Sequence, residues 1–192
     1  MSHLVAAAVF DRMSTMEYSL AAEVFGQDRR LLTPDWYDFL PCRVEPGRLR
    51  SGLGLDYTPA GALGDLAAAD TILITGWREP VEEPPEALLE ALRAAHARGA
   101  RLVSICTGAF VLAYAGLLDG RRATTHWLHA RKLRRLFPRV EVDEQPLYIH
   151  DRTSGGQIST SAGSVAGLDL CLALVREDHG VAVANVIARR LV

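Results

Sequence analysis

The sequence contains few cysteines, no excess of charge and no long apolar run. Its three cysteines, Cys42, Cys106 and Cys171, form an odd and scattered set, which does not suggest a disulfide framework. No apolar run approaches the roughly 18 residues that are needed to span a bilayer. The chain starts MSHLVA, without the basic and long apolar segments of a secretion signal. We therefore expect a soluble, cytoplasmic protein with no membrane partner.

Charge also argues against a protein that binds nucleic acid over its whole surface. The formal net charge is −2, so the chain has no general basic field. One local basic stripe consists of Arg121, Arg122, Arg131, Lys132, Arg134, Arg135 and Arg139. Residues 131–135 fall in a short amphipathic pattern, which favours the solvated face of a helix over a surface that contacts DNA.

Strand-like and helix-like patterns alternate along the chain. The predicted strands lie at 3–10, 36–44, 71–76 and 101–106, and the predicted helices at 17–25, 86–98 and 107–114. Continuously apolar strands are typical of a mostly parallel sheet that is covered by helices on both faces. The sequence therefore predicts an α/β protein, a three-layer αβα sandwich, with its site at the carboxyl ends of the strands. A chain of this length fits one domain, residues 1–192.

The second half of the chain has a less regular pattern. We predict short strands at 123–125, 140–142 and 147–150 and a helix at 127–137. Two helices, 164–177 and 181–191, follow, with Ser164 as the cap of the first and Gly180 as the break between them. Their apolar residues offer a surface for a second copy, and we expect a homodimer. These residues are Leu170, Leu174, Val181, Val183, Val186 and Ile187.

Cys106 lies where a predicted strand turns into a helix. A side chain at such a turn points over the carboxyl edge of the sheet, and the free N–H groups of the following helix favour a thiolate there. Gly108 leaves room for a close approach of helix and strand, as the last glycine does in the nucleophile elbow of hydrolases. The alternative is that Cys106 is a small buried apolar residue, which is our expectation for Cys42 and Cys171.

Several segments of the chain resemble the PfpI-like superfamily. They are SICTGAFVLA (104–113), GLLDGRRATTHW (116–127), LFP (136–138) and STSAGSVAGLDL (159–170), together with MEYSLAAEVFG (16–26) and ADTILITG (69–76). The resemblance implies a flavodoxin-like fold that is similar to the fold of class I glutamine amidotransferases. It is closest to the amino-terminal domain of AraC-type transcriptional regulators.

The resemblance also implies one pocket with groups of a catalytic type. Cys106 corresponds to the elbow thiol, Glu17 to an acidic residue that reaches towards it, and His126 to the histidine of a Thr-His-Trp motif. An imidazole can stabilise a thiolate or shuttle a proton, and a protonated carboxyl can donate a hydrogen bond to sulfur. The candidate ligand-binding residues are Gly76, Trp77, Thr107 and Trp127. Backbone N–H groups of Thr107 and of the turn at 76–77 are candidates for an oxyanion hole.

Each of these candidates has a simpler alternative. Glu17 is also a typical exposed carboxylate in the first turn of a helix. His126 and His129 have a spacing that can bind metal, but no third ligand accompanies them, and we expect neither a metal nor a cofactor. The Asp-His pair at 178–179 lies at a helix junction, where capping is the simpler role. The small residues of 161–167 fit close packing as well as anion binding.

The resemblance implies a ligand-sensing, regulatory domain and leaves an enzyme as the alternative. AraC-type regulators bind DNA through a carboxyl-terminal pair of helix-turn-helix motifs, and this chain, up to Val192, does not contain that pattern. We interpret it as a domain that senses an unknown small-molecule effector and reaches DNA only through another domain, more a regulator than an enzyme. A stand-alone enzyme, such as an isocyanide hydratase-like lyase or a cysteine hydrolase, stays open, as does an interaction module with a vestigial pocket.

Overall fold

The computed structural model describes residues 3–152 and 156–192. In chain order its elements are β1 (Leu4–Val9), α1 (Thr15–Gly26), β2 (Asp38–Arg43), β3 (Leu49–Arg50), β4 (Asp56–Tyr57), α2 (Leu63–Ala68), β5 (Thr71–Thr75), α3 (Glu86–Ala97), β6 (Arg101–Ile105), α4 (Gly108–Tyr114), β7 (Arg122–Ala123), α5 (Trp127–Leu136), β8 (Glu141–Val142), β9 (Tyr148–Asp151), β10 (Ile158–Ser161) and α6 (Ser164–Arg190). The predicted strands and helices are present with slightly shifted ends. The hairpin of β3 and β4, helix α2 and strand β10 have no counterpart in the predicted pattern.

Within the described residues, six strands form the central sheet in the order β2-β1-β5-β6-β10-β9. Adjacent strands in this order are parallel to each other, except that β9 is antiparallel to β10. The mostly parallel sheet is thus confirmed. Strand β1 has β2 on one side and β5 on the other, so the strand order reverses between β1 and β5. In open α/β sheets such a reversal opens a crevice at the carboxyl ends of the strands.

Both faces of the sheet are covered, which confirms the three-layer αβα sandwich. Alternate residues of β1 enter two separate cores, Ala6 on one face and Ala7 on the other. Helices α1 and α6 cover the face of Ala7, and α2, α3 and α4 cover the face of Ala6. A strand that is buried on both faces has no solvent side, and this explains the continuously apolar runs in the sequence.

Strand β10 is polar although it lies inside the sheet. Ser159, Thr160 and Ser161 are buried, and their hydroxyl groups form hydrogen bonds with His150, with the Thr124 N–H and with the Ser104 carbonyl respectively. A run of serine and threonine lacks the apolar pattern on which strand prediction depends. The sheet therefore contains a strand that the sequence pattern conceals.

Helix α6 begins differently from the prediction. Gly163 is its N-cap, and Ser164 is the first helical residue. Since Ser164 lies inside the helix, its predicted capping role is wrong. Its hydroxyl instead donates to the Glu17 carboxylate at 2.9 Å. The predicted break is confirmed, because Gly180 has φ of 87° and ψ of 166° inside the helix.

The Asp-His pair in α6 does not cap a helix. Asp178 accepts two hydrogen bonds from the Arg101 guanidinium, at 2.6 and 3.1 Å, and a third from the Tyr37 hydroxyl at 2.5 Å. Burial opposes the charge of Asp178, but the hydrogen bonds from Arg101 and Tyr37 hold the pKa of its carboxyl below the ordinary value. Asp178 therefore anchors α6 to the amino edge of the sheet, and the capping interpretation is wrong.

Part of the surface predicted for a second copy is core. Leu170, Leu174 and Ile187 are completely buried against the sheet, whereas Val181 and Val186 are exposed.

Close packing accounts for at least one of the small residues in 161–167, because a Cβ on Gly167 would lie 2.7 Å from the Ile105 side chain. Across the part of the chain that the structure describes, no helix combines the length and apolar character that crossing a bilayer requires.

Candidate functional site

A cavity of about 440 Å³ lies at the carboxyl edge of the sheet, beside the reversal of strand order. Its walls come from the loop after β1 and the first turn of α1, the turn between β3 and β4, the loop after β5, and Thr107 after β6. The lining residues are Arg12, Met13, Ser14, Thr15, Met16, Glu17, Gly52, Leu53, Gly76, Trp77, Arg78 and Thr107. The volume is that of a site for a small organic molecule.

The turn at Cys106 has an unusual backbone. Cys106 has φ of 56°, and only Arg12, with φ of 58°, is also a non-glycine residue of positive φ among the described residues. This conformation costs about 1–3 kcal/mol and persists only where neighbours enforce it. The Cys106 N–H donates to the Ser161 carbonyl at 3.0 Å, and the Cys106 carbonyl accepts from the Thr125 hydroxyl at 2.7 Å.

Gly108 is required by a close contact just after this turn. A Cβ at this position would lie 2.3 Å from the carbonyl oxygen of Ile74. The predicted need for a small residue is confirmed, but the nearest strand is β5 and not β6, which precedes the turn. Helix α4 can therefore start close above the sheet only because residue 108 lacks a side chain.

Glu17 is buried, with 8% of its surface exposed, in the first turn of α1. Its two carboxylate oxygens accept hydrogen bonds from the hydroxyl groups of Ser14 and Ser164. The interpretation of Glu17 as an exposed first-turn carboxylate is wrong. The packing of α1 on α6 places this carboxylate in the cavity wall instead.

The Cys106 thiol is partly buried and near Glu17. Burial raises its pKa to about 11, the negative charge of Glu17 contributes to the rise, and the N–H and hydroxyl of Thr107 partly oppose it. The expectation that the turn favours a thiolate is therefore wrong, since a group with this pKa is protonated at neutral pH. Cys42 and Cys171 lie in the core as predicted, and burial raises their pKa values to about 11 and about 12.

The hydroxyl group of Thr107 connects two loops of the cavity. It accepts a hydrogen bond from the Trp77 N–H and donates one to the Trp77 carbonyl, both at 2.8 Å. The Trp77 N–H is thereby occupied and does not face a bound oxyanion. The oxyanion hole proposed for the turn at 76–77 consequently loses this donor.

Arg78 forms a wall of the cavity together with Trp77. Its guanidinium lies 4.6 Å from the centre of the Trp77 ring and donates to Glu45 at 2.6 Å and to Glu82 at 2.7 Å. Burial opposes its charge, but these hydrogen bonds raise the Arg78 pKa. The loop that begins at Arg78 is rich in proline and glutamate, a composition that predicts a loop able to form a wall of the pocket, but nothing in that sequence points to Glu45 as the partner.

His126 lies near the turn but outside the cavity wall. It is the N-cap of α5, and its Nδ1 accepts from the Leu128 N–H at 3.3 Å. A Cβ on Gly163 would lie 3.4 Å from the imidazole, so His126 is beside the start of α6. Among the described residues, no hydrogen bond joins His126 to Cys106 or Glu17.

The structure thus brings together part of the predicted site. Four of its residues, Glu17, Gly76, Trp77 and Thr107, line one cavity. Cys106 precedes Thr107 and is close enough for the charge of Glu17 to raise the pKa of its thiol. Trp127 is 68% exposed on the first turn of α5 and does not line the cavity. Residues 3–152 and 156–192 contain no group of three or more His, Cys, Asp or Glu arranged to hold a metal ion.

The fold and its crevice define a flavodoxin-like α/β protein with a cavity at the reversal point of its sheet. The chain belongs to the DJ-1/PfpI family, whose sequence pattern matches residues 3–177. The resemblance to the PfpI-like superfamily is thereby confirmed.

Relatives of the chain include regulators and an enzyme. It is 33% identical to the HTH-type transcriptional regulator CdhR of Pseudomonas aeruginosa over 158 residues, which are 82% of this chain and 46% of the regulator. It is 32% identical to isonitrile hydratase of Pseudomonas putida over 159 residues, 81% of this chain and 63% of the enzyme. The chain spans about half the length of the regulators that it matches.

Among solved structures, an AraC family transcriptional regulator from Pseudomonas putida has a similar fold. The TM-score is 0.84 at 23% sequence identity, and the match covers 99% of this chain and 100% of that one. Because the sequence identity is low, this structural similarity supports only the fold. The predicted flavodoxin-like fold is confirmed.

Proposed function

We propose that this chain is the ligand-sensing domain of a transcriptional regulator of the AraC type. The observation that carries the proposal is the way the chain aligns with HTH-type regulators. The matches cover most of this chain but only about half of each regulator. In the proposed role, a small-molecule effector occupies the cavity and biases an attached DNA-binding domain. The bias equals the difference in effector affinity between the two states of the protein.

The chemistry of the cavity supports binding over catalysis. The Cys106 thiol, whose pKa is raised to about 11, is a weak nucleophile at neutral pH because it is protonated. Among the described residues, His126 forms no hydrogen bond with Cys106, so the imidazole is not placed to take the proton of the thiol. The Trp77 N–H is engaged by the Thr107 hydroxyl and is not available to stabilise an oxyanion. These features favour a site that holds a ligand without changing it.

The test of this proposal is DNA binding by two forms of the protein. We expect the full natural gene product, with any segment that follows residue 192, to bind its own upstream region in a gel-shift titration. Residues 1–192 alone should not bind specifically at physiological salt, because the chain has too few phosphate-contacting cations. Specific binding by residues 1–192 that is lost on changing Arg131, Arg134 and Arg135 to alanine would contradict this view of the basic stripe. Absence of binding by the full product would contradict the regulator proposal.

A second candidate is an isonitrile hydratase-like enzyme, favoured by the identity to that enzyme and by the closeness of Glu17 to Cys106. Such an enzyme adds water to the isonitrile carbon, R–NC, and yields the N-formamide, R–NH–CHO. We expect no formamide from a simple alkyl isonitrile above the level of the Cys106→Ser variant. Turnover that disappears in this variant would decide for the enzyme.

We also propose that the domain is a cytoplasmic homodimer. The exposed apolar residues Val181 and Val186 on the second half of α6 support a contact with a second copy. Sedimentation equilibrium should give twice the chain mass, and Val181→Glu should shift the equilibrium towards the monomer. A monomer across the accessible concentration range would contradict the dimer.

A further inference from the structure

The first half of α6 has apolar residues on its outward face as well as on its inward face. Leu170 and Leu174 are completely buried against the sheet. On the other side of the helix, Val165 is 66% exposed, and Leu168 and Leu172 are partly exposed. A helix at the surface of a monomer normally has polar residues there, whereas a helix that is apolar all round is covered all round. The outward face of α6 therefore has the character of a contact surface.

Two charges of opposite sign lie on the same outward face. Asp169 and Arg176 are exposed, and neither forms an ion pair with another described residue. Seven residues are almost two turns of an α-helix, so the two side chains share one face and lie about 10.5 Å apart along the helix axis. They are too far apart to pair with each other. Each charge therefore lacks a partner within the described part of its own chain.

A groove lies beside these two charges. It is a cavity of about 340 Å³ between the two halves of α6, and both Asp169 and Arg176 line it. The small side chains of Ala173, Ala184 and Ala188 also line this groove. Small side chains leave room for a larger apolar residue from another helix, as in the packing of knobs into holes.

A second copy of the chain satisfies both charges at once. In a two-fold symmetric contact, residue i of one copy meets residue j of the other, and residue j meets residue i. The midpoint between Asp169 and Arg176 falls between Leu172 and Ala173. If two copies of the helix cross antiparallel at this midpoint, Asp169 of each copy faces Arg176 of the other. Leu172 of each copy then lies against the groove beside Ala173 of the other. An unrelated partner would need the same two charges at the same spacing.

We propose that the outward face of the first half of α6 binds the same face of a second copy about a two-fold axis near Leu172 and Ala173, with Asp169 of each copy paired to Arg176 of the other. This inference rests on the proposed homodimer and names its contact surface. Val181 begins the second half of α6, and the next turn of that helix lines the same groove, so the contact proposed for Val181 continues this surface. The apolar residues supply affinity, and the charges set the orientation, since exposed ion pairs by themselves contribute little.

Single charge reversals test the pairing. Asp169→Arg introduces two like-charge contacts into each dimer, because the two-fold symmetry repeats the change, and Arg176→Asp does the same. Sedimentation equilibrium should give each variant a dimer dissociation constant at least about tenfold higher than that of the wild type. Glu90→Arg, on the exposed side of α3, is the matched control and should dimerise like the wild type.

A mixture of the two single variants gives a sharper test. In a mixed dimer, one copy carries two positive charges on this face and the other carries two negative charges, so both ion pairs form again. Native mass spectrometry distinguishes the dimers by mass. It should show the mixed dimer as the main species at concentrations where each variant alone is mainly monomeric. The double variant Asp169→Arg/Arg176→Asp should also dimerise like the wild type.

The outcomes separate this surface from the dimer itself. Single variants that dimerise as tightly as the wild type would overturn the surface and leave the homodimer proposal standing. Weakened dimers that mixing does not restore would show that residues 169 and 176 do not face each other, and would overturn it as well. If a reversal does not fold, as judged by circular dichroism, Asp169→Asn and Arg176→Gln replace it, and unweakened dimers of these variants would count against the surface. A monomeric wild type would contradict the homodimer and this surface together, whereas DNA binding decides the regulator proposal separately.

Discussion

At the amino edge of the sheet, the buried Arg101 forms an ion pair with the partly exposed Asp178, and their polar atoms are bound to Tyr37 and Thr71. At the carboxyl edge, Glu17 is buried about as fully as Arg101 but has only hydroxyl partners and faces a cavity. The two edges belong to the same strands and the same helix α6. The amino edge thus uses its charged groups to hold the fold together, whereas the carboxyl edge turns a buried carboxyl group towards a cavity.

The backbone differs between the two edges in the same way. The non-glycine residues of positive φ in the described chain, Arg12 and Cys106, both follow carboxyl ends of strands. Strained backbone and the buried carboxyl of Glu17 therefore lie at the same edge as the cavity, and strained backbone is concentrated at functional sites in other proteins. A cavity alone would be weaker support, since the amino edge has one of about 450 Å³ as well.

The largest effect is expected where the carboxyl edge depends on backbone contact. Gly108→Ala should lower the free energy of unfolding by about 3 kcal/mol, because its Cβ would lie 2.3 Å from the Ile74 carbonyl oxygen. Gly64→Ala in α2 is the control, since a Cβ there has open space. It should be neutral or stabilise by up to about 1 kcal/mol. Urea unfolding measures both, and equal stability of the two variants would contradict the close approach.

The next effect concerns the ion pair of the amino edge. Arg101→Met should destabilise the protein by about 2 kcal/mol, less than for a fully buried pair because the Asp178 side chain is 26% exposed and keeps the Tyr37 hydroxyl. Arg93→Met removes a surface pair with Glu86 and should cost less than about 1 kcal/mol. If Arg101→Met lowers the free energy of unfolding by less than Arg93→Met does, the ion pair of Arg101 with Asp178 does not stabilise the amino edge as we infer.

The fold was largely predictable because its strands are buried on both faces. The apolar runs of β1, β5 and β6 mark the parallel sheet, and the turn after β6 needs a small residue at Gly108. Strand β10 could not be predicted in this way, because it is polar. Its hydroxyl groups can be buried because they form hydrogen bonds with partners from other elements. No local pattern shows that a polar run will find such partners.

The sequence predicts which residues belong to the site, but it does not predict which hydrogen bonds those residues form. The motif around Cys106 and the match of Glu17 name the residues, but the hydrogen bond from Ser164 to Glu17 joins positions 147 apart in the sequence. Likewise the Thr107 hydroxyl occupies the Trp77 N–H only because β5 and β6 are neighbours. The charge state of the thiol depends on burial, which a motif does not state.

Acid should weaken the amino edge by a smaller amount than loss of the ion pair. Burial, aided by the charge of Arg101, lowers the pKa of His3 below its ordinary value of 6.5, and burial lowers that of His179. Because the unfolded chain takes up these protons first, stability is full above about pH 6.5 and falls as the pH decreases. Urea unfolding at about pH 7.5 and about pH 5.5 should show the loss, and His3→Gln should reduce it. Stability that rises on acidification would contradict this sign.

The smallest change in stability, less than about 1 kcal/mol, is expected from Glu17→Gln, because the amide has nearly the same volume and keeps an acceptor oxygen for the hydroxyl donors. Its chemical effect is larger. Without the negative charge, the Cys106 pKa should fall below about 11. Alkylation by iodoacetamide should then accelerate by about three- to fourfold for each unit that the pKa falls, because the larger thiolate fraction is partly offset by the lower nucleophilicity of a less basic thiolate. Mass spectrometry can follow Cys106 beside Cys42, whose rate should not change, and Glu90→Gln should leave both rates as they are. An unchanged Cys106 rate would mean that Glu17 does not affect the reactivity of the thiol, and would contradict an electrostatic contact between the two groups at the carboxyl edge.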